Sequence, residues 1–379
     1  VTGDGEFDLA VVGAGIVGAA IAAEASRRGL RTLVLERRSI GSGSTAAGMG
    51  HIVVMDDSEA QFALTSYSRR LWNNIAASLP GEVALDPSGT IWVAADAEEM
   101  AAVEQKYHFY RQRDVRCEIL DAAELKRHEP NLRDGMVGGL RVPDDSVLYP
   151  PCAAAHLLAL ARKHGAVVRE QVSVSSLNDD GTVDFADGSL IQAANCVNAT
   201  GCWAPELSPN AQVRKRKGHL VITDRYPGYA RHQIIELGYL KSAHGFSKDS
   251  VAFNIQPRKN GQMLIGSSRQ FDAEDTQVEL EILGRMLRRA CQYMPSINRL
   301  QAIRVWTGDR PATPDKLPLI GPQLPNSHCW LAAGHEGLGI TTSLATARLL
   351  VDQLLGVKTE IPAEPYAPSR AAAREVTHA

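Results

Sequence analysis

A chain of 379 residues with 44% hydrophobic and 22% charged residues, a net charge of −3 and a pI near 6.4 is globular in composition and long enough for two domains. That balance lacks the basic excess of a nucleic-acid footprint, and no apolar run reaches the roughly 18 residues that a membrane span needs. Six cysteines (Cys117, Cys152, Cys196, Cys202, Cys291 and Cys329) form no C-x-x-C pair and no Cys/His cluster, so they read as reduced, mostly buried thiols of a cytoplasmic protein, with no metal site.

In chain order, residues 9–12 (Leu-Ala-Val-Val) suit a buried parallel strand. Gly13-Ala14-Gly15-Ile16-Val17-Gly18 follows with the G-x-G-x-x-G spacing, a helix is predicted over 21–28 and a second strand over 31–35, and Glu36 stands at its end. Gly13 permits the tight turn, Gly15 lets backbone N–H groups approach a pyrophosphate, and Gly18 lets helix and strand pack closely. A carboxylate at position 36 can accept hydrogen bonds from both hydroxyls of a ribose. The alternative is an accidental glycine-rich turn, which the flanking strand, helix and acid disfavour.

Residues 39–51 are small and nearly bare of side-chain bulk, which suits a backbone pressed against a flat ligand better than a linker. Helices are predicted over 59–79, 97–113, 122–128 and 153–164, and strands over 89–94, 167–168, 172–177, 182–185 and 196–201. The basic run Arg214-Lys215-Arg216-Lys217 reads as a solvated strand end. From 218 to 304 alternating segments (220–223, 251–255, 263–265) predict a mostly antiparallel sheet interrupted by one helix over 277–293. Tyr239, His244, Asn254, Gln256 and Arg269 fall on that sheet as candidates to face a substrate. Last come a strand at 331–333, a glycine turn and a helix over 343–355, whose N-terminus supplies positive dipole.

Six collinear blocks now resemble the glycine oxidase, sarcosine oxidase and D-amino-acid oxidase family of FAD-dependent amine oxidoreductases. They are GAGIVG with Glu36, STAAGM at 44–49, VNATGCWA at 197–204, KGHL at 217–220, GDRPATPDKLPLIGP at 308–322 and GHEGLGITT at 334–342. The resemblance implies an α/β fold, in which an FAD-binding Rossmann-type domain of residues 1–85, 150–217 and 305–365 carries an inserted, mostly antiparallel substrate domain of 86–149 and 218–304, with a tail at 366–379. It places Gly13, Gly15, Ile16, Val17 and Gly18 at the pyrophosphate and Glu36 with Arg37 at the adenosine ribose. Ser44, Thr45, Ala47, Gly48 and Met49 run along phosphate and flavin, Val172 holds adenine through its backbone, and Ala199, Gly201 and Trp203 line the ring. Gly334, Glu336, Gly337, Leu338, Gly339, Ile340 and Thr341 meet the pyrimidine edge. The positions where some members attach flavin covalently are Gly308 and Thr45 here, which implies non-covalent FAD.

Arg310 is implied to grip the substrate carboxylate, against the alternative of a surface arginine paired with Asp309 or Asp315. His51 and His335 are further candidates for the flavin pocket. The implied reaction oxidises the Cα–N bond of a small amino or imino acid (a D-amino acid, D-hydroxyproline, an opine or an N-substituted glycine) by hydride transfer to flavin N5, followed by hydrolysis of the imine. Where sarcosine oxidases carry an oxygen-activating lysine, the matching strand reads Met263-Leu264-Ile265-Gly266. The ending GHEGLGITTSLATARLL looks most like flavoprotein subunits of bacterial D-hydroxyproline, opine and cyanide-forming glycine dehydrogenases, which work with small ferredoxin-like or iron–sulfur subunits. Alternatives left open are a stand-alone oxidase that releases hydrogen peroxide and a non-catalytic FAD-containing assembly subunit.

Overall fold

The computed structural model describes residues 7–238, 249–271 and 275–370. The chain divides into two compact units, one of residues 1–83, 149–215 and 309–379, the other of 84–148 and 216–308. Tyr239 and His244, two candidates from the sequence, lie outside the described residues.

The first unit is built on a sheet in the order Leu319–Pro322, Cys329–Ala333, Leu190–Asn198, Phe7–Val12, Thr32–Glu36, Val167–Glu170. All neighbours in it run parallel except the antiparallel edge pair Leu319–Pro322 and Cys329–Ala333. Leu9, Ala10, Val11, Leu33, Val34 and Leu35 are wholly buried, as expected of strands covered on both faces. Helix Ile16–Arg27 packs against Pro150–Lys163 and Gly339–Leu354. Its buried face is largely alanine (Ala19, Ala20, Ala22, Ala25), so neighbouring backbones approach closely.

Two boundaries depart from the sequence reading for a common reason. The first helix begins at Ile16 and the last at Gly339, not at 21 and 343. In each case glycine lowers helix propensity where packing and ligand geometry require a helix N-terminus. Within the small-residue stretch, 44–47 forms a short helix, Ser44–Ala47.

The second unit holds a sheet in the order Ala302–Ala312, Arg214–Thr223, Met263–Phe271, Asp249–Pro257, Gln233–Glu236, Thr90–Ala94, Gly138–Val142, Glu118–Asp121. From Arg214–Thr223 onward its pairs are antiparallel except for Gln233–Glu236 beside Thr90–Ala94, which is parallel. One face carries Ile91, Val93, Ile234, Phe253, Ile255, Met263 and Ile265, packed with Met286, Ala290 and Tyr293 of helix Leu280–Tyr293. Strand Gly138–Val142 escapes sequence reading because it opens with two glycines. A Cβ at Gly139 would lie 2.5 Å from the Trp92 carbonyl oxygen, so close backbone approach sets the residue there. The basic run corrects the expectation of a solvated end. Arg214 and Lys215 are exposed but Arg216 and Lys217 are buried, and Lys217 Nζ meets Asp275 (2.8 Å) and Glu279 (3.0 Å).

Candidate active site

The glycine turn of the first unit has no room for side chains. Gly13 adopts φ +107°, and a Cβ there would lie 2.6 Å from the Ala199 carbonyl oxygen. A Cβ on Gly18 would lie 1.9 Å from the Gly13 carbonyl oxygen. Glu36 braces the same turn: its Oε2 accepts from Ala14 N (2.7 Å) and its Oε1 from Arg38 N (2.8 Å). Gly15, the N-cap of helix Ile16–Arg27, offers no side-chain cap, but Thr45 Oγ1 accepts from Ile16 N at 3.0 Å. A hydroxyl from a distant segment thus satisfies one of the N–H groups that helix geometry leaves open. The remaining donors and the dipole suit a pyrophosphate.

The Ser44–Ala47 segment joins this turn to the rest of the site. Gly48 packs so tightly that a Cβ would meet Ile340 Cδ1 at 2.9 Å, and Thr341 Oγ1 donates to the His51 carbonyl oxygen (2.9 Å). Ser44 Oγ donates to the carbonyl oxygen of Asp309 (2.6 Å), and Cys202 Sγ reaches the same oxygen at 3.2 Å. Burial pushes the Cys202 thiol up to about 12, so it acts as a hydrogen-bond donor and not as a thiolate. Sequence reading did not find this convergence. Its partners are 265 and 107 residues apart, and no local pattern encodes such a contact.

Arg310, next to that anchored carbonyl, is half-buried and crosses Gly337, where a Cβ would stand 3.5 Å from its Nε. Asp315, one of the alternative partners considered for it, is paired with Arg370 at 2.9 Å. Opposite lies the turn Gly334–Gly337, with Gly334 at φ +80° and Glu336 at φ +50°, its N–H held by the Pro311 carbonyl (2.9 Å). Helix Gly339–Leu354 then starts at Leu338 with no side-chain cap. Its first N–H groups and dipole suit an electron-rich heterocycle edge.

The two histidines separate. His51 is half-buried, with its Nδ1 enclosed and lacking a hydrogen-bond partner among the described residues. Burial, opposed by the Gly337 backbone and reinforced by the Arg310 charge, lowers its pKa to about 4, so the ring is neutral at working pH. His335, the other candidate, is turned inward. It is buried against the helix that follows it, Nε2 3.1 Å from Thr346 Oγ1, and desolvation holds its pKa down to about 3.

Two further cofactor candidates, Val172 and Trp203, have neighbours of their own. Val172 N donates to the Glu36 carbonyl (2.9 Å), which fixes the backbone at 172 beside the end of the second strand. Trp203 leans on Gly43 and carries Arg37 (4.6 Å), Arg38 (5.2 Å) and Lys215 (5.8 Å) over its ring. Its indole therefore packs with the loop after Glu36, where cations stabilise the aromatic face, and Arg37 also pairs with Glu206 (3.1 Å). Gly201, at φ +62° with open space where a Cβ would project, keeps its backbone available for close approach.

A parallel sheet with a bare glycine turn at one helix N-terminus, an acid closing it, and a second glycine turn before another uncapped helix N-terminus defines a dinucleotide-binding fold. The DAO family, described as FAD dependent oxidoreductase, matches residues 8–353, and this chain belongs to it. FAD is therefore the cofactor, and the crowded cradle at Gly13 and Gly18 fits its pyrophosphate.

Among relatives, glycine oxidase of Geobacillus kaustophilus is 27% identical over 378 residues, covering 96% of this chain and 97% of that one. A crystal structure of glycine oxidase from the same species superposes with a TM-score of 0.86 at 26% identity, covering 95% and 98%. Hydrogen cyanide synthase subunit HcnC of Pseudomonas aeruginosa is 25% identical over 403 residues, covering 93% of each. The fold also matches L-proline dehydrogenase from P. horikoshii, with a TM-score of 0.87 at 24% identity and coverage of 97% and 98%. The chain is thus an FAD-dependent enzyme of the amino-acid oxidase and dehydrogenase type. Among the described residues no helix is long and apolar enough to cross a membrane.

Proposed function

We propose that this enzyme oxidises the Cα–N bond of a small amino or imino acid and passes the electrons to an acceptor other than dioxygen. The observation that carries the reading is Arg310, whose arm lies across Gly337 beside the neutral His51 and close to an uncapped helix N-terminus. A guanidinium takes a carboxylate bidentately and fixes its plane. His51 Nδ1, enclosed and neutral, is placed to accept a hydrogen bond from the substrate amine and aim its lone pair. The bound flavin supplies a two-electron acceptor; the residues supply position and exclusion of water, and the imine product hydrolyses in solution.

The strand Met263–Phe271, read as the counterpart of the lysine-bearing strand of sarcosine oxidases, contains no lysine, which favours the dehydrogenase reading. The relative described as a synthase subunit supports partner subunits for this chain, and small ferredoxin-like or iron–sulfur subunits as electron acceptors are drawn from the sequence resemblance alone. The glycine oxidases support the second reading, an oxidase releasing hydrogen peroxide. A cytoplasmic setting rests on the six unpaired thiols.

Anaerobic addition of D-amino acids, D-hydroxyproline, sarcosine, glycine and opines should bleach the oxidised flavin spectrum for at least one of these classes. Oxygen uptake much slower than dye reduction with that substrate identifies a dehydrogenase. Equal rates would overturn that part of the reading.

A further inference from the structure

Two cysteines of the first unit stand side by side on neighbouring parallel strands. Where Leu190–Asn198 runs beside Cys329–Ala333, Cys196 is the direct partner of Cys329. Strands in a sheet lie about 4.7–4.9 Å apart, inside the range of about 4.4–6.8 Å between Cα atoms that a disulfide spans. The two sulfurs are 3.1 Å apart, closer than the roughly 3.5–4.0 Å at which even carbon atoms rest without bonding. Both cysteines are free thiols, and with 133 residues between them no motif announces the pair.

The pair is buried, at 0% and 3% exposed, but it lies only one residue from the surface. Cys329 directly follows His328, which is exposed, as are Leu324, Pro325 and Asn326 of the same turn. Ser327 pins that turn: its Oγ donates to Asp179 (2.6 Å) and accepts from Cys329 N (3.0 Å). Surface turns open locally at far lower cost than a paired sheet unfolds, which gives a small oxidant a route to the Cys329 sulfur.

The two thiols also differ in role. Cys329 Sγ donates to the Asn178 carbonyl oxygen (3.0 Å), so within the pair Cys196 is the donor. That hydrogen bond favours the thiolate of Cys329, while the same contact and burial hold Cys196 protonated. Cys329 is therefore the nucleophile and Cys196 the thiol that resolves it.

We propose that Cys196 and Cys329 form a reversible oxidation site for hydrogen peroxide, whose disulfide fastens two strands of the flavin-binding sheet. The Cys329 thiolate attacks one peroxide oxygen, the O–O bond breaks, and the departing hydroxide takes up the proton that Cys329 gave up. Cys329 is left as a sulfenic acid. The Cys196 sulfur then attacks the Cys329 sulfur, the S–O bond breaks, and hydroxide leaves with the Cys196 proton as a second water. Two thiols lose two electrons and one peroxide gains them. The joined strands lead into Ala199 to Gly201 and into Gly334, the turns described above, and a crosslink between residues so far apart restrains the unfolded chain strongly. The site is independent of which acceptor takes electrons from the amino acid.

The test treats the flavin-loaded enzyme with a small excess of hydrogen peroxide, unfolds it in an alkylating reagent and weighs the cysteine peptides after digestion. A species joining the Cys196 and Cys329 peptides, lighter than their sum by two hydrogens, should form while the flavin spectrum is unchanged, and dithiothreitol should abolish it. Cys196→Ala should leave Cys329 as a sulfenic acid that dimedone captures, and Cys329→Ala should leave Cys196 a free thiol. The oxidised enzyme should release flavin at a higher urea concentration than the reduced one. If either variant fails to fold, the measurements on the unmodified protein decide alone. No joined species once the half-buried Cys152 and Cys291 are oxidised, flavin lost before the bond forms, or an equal urea midpoint for the two forms overturns the proposal.

Discussion

Arg310 and the two histidines show how differently residues from similar motifs are used. Arg310→Lys keeps a charge but loses the planar fork, and Arg310→Ala loses both. The expected KM for the amino acid rises about tenfold in the first and about a hundredfold in the second, in line with about 1.5–3 kcal/mol for a charge-assisted contact. Steady-state kinetics with unchanged flavin content checks this, and a KM that does not move removes Arg310 from the substrate site. His51 stays neutral above its value of about 4, so it contributes no ionisation to kcat/KM between pH 5 and 9. The rise of kcat/KM with pH should follow the substrate amine and persist in His51→Gln; its loss in that variant would assign the ionisation to His51. For His335 the linkage runs through stability. The folded ring, with a pKa of about 3, binds fewer protons than the unfolded one at 6.5, so its contribution is complete above about pH 6.5 and is lost as pH falls toward 3. The drop in melting temperature between pH 6.5 and 4 should be shallower in His335→Gln than in the unmodified protein, and an equal slope would contradict the burial argument.

At the scale of elements, the two glycine turns are set by clashes of very different severity. Gly13→Ala and Gly18→Ala drive a methyl into backbone at 2.6 and 1.9 Å, and should yield protein without flavin or without a stable fold. Gly15→Ala meets only Thr45 Oγ1 at 3.1 Å, and should fold with weakened flavin retention. Flavin-to-protein absorbance ratios of the three purified variants test the order, and equal loss in all three would refute it. Thr45→Val removes the acceptor for Ile16 N and should cost about 0.5–2 kcal/mol, the range for a lost N-cap. Denaturant unfolding of the apoprotein measures that cost apart from cofactor binding.

For the molecule as a whole, non-covalent FAD predicts that acid precipitation leaves the flavin in the supernatant and that added FAD raises the melting temperature of the apoprotein by mass action. Yellow precipitate would indicate a covalent bond. The parallel nucleotide sheet was legible because its strands are continuous apolar runs and its turns admit only glycine, so few other residues satisfy the geometry at Gly13, Gly18 and Gly334. Strands Glu118–Asp121 and Gln233–Glu236 were not, since four residues are too few to show a period and their partners lie far along the chain. Arg310 stood out through its motif. The inward turn of His335 and the cation shell of Trp203 depend on which way a side chain leaves a turn, which sequence spacing does not record.

The Asp309 carbonyl, held at once by Ser44 and Cys202, ties the backbone beside Arg310 to two distant segments of the same unit. The same short helix that supplies Ser44 also supplies Thr45 to the first glycine turn, so one element of four residues braces both that turn and the backbone before Arg310. We expect flavin-free protein to bind inert amino-acid analogues more weakly than flavin-loaded protein, a difference that calorimetric titration of the two forms measures.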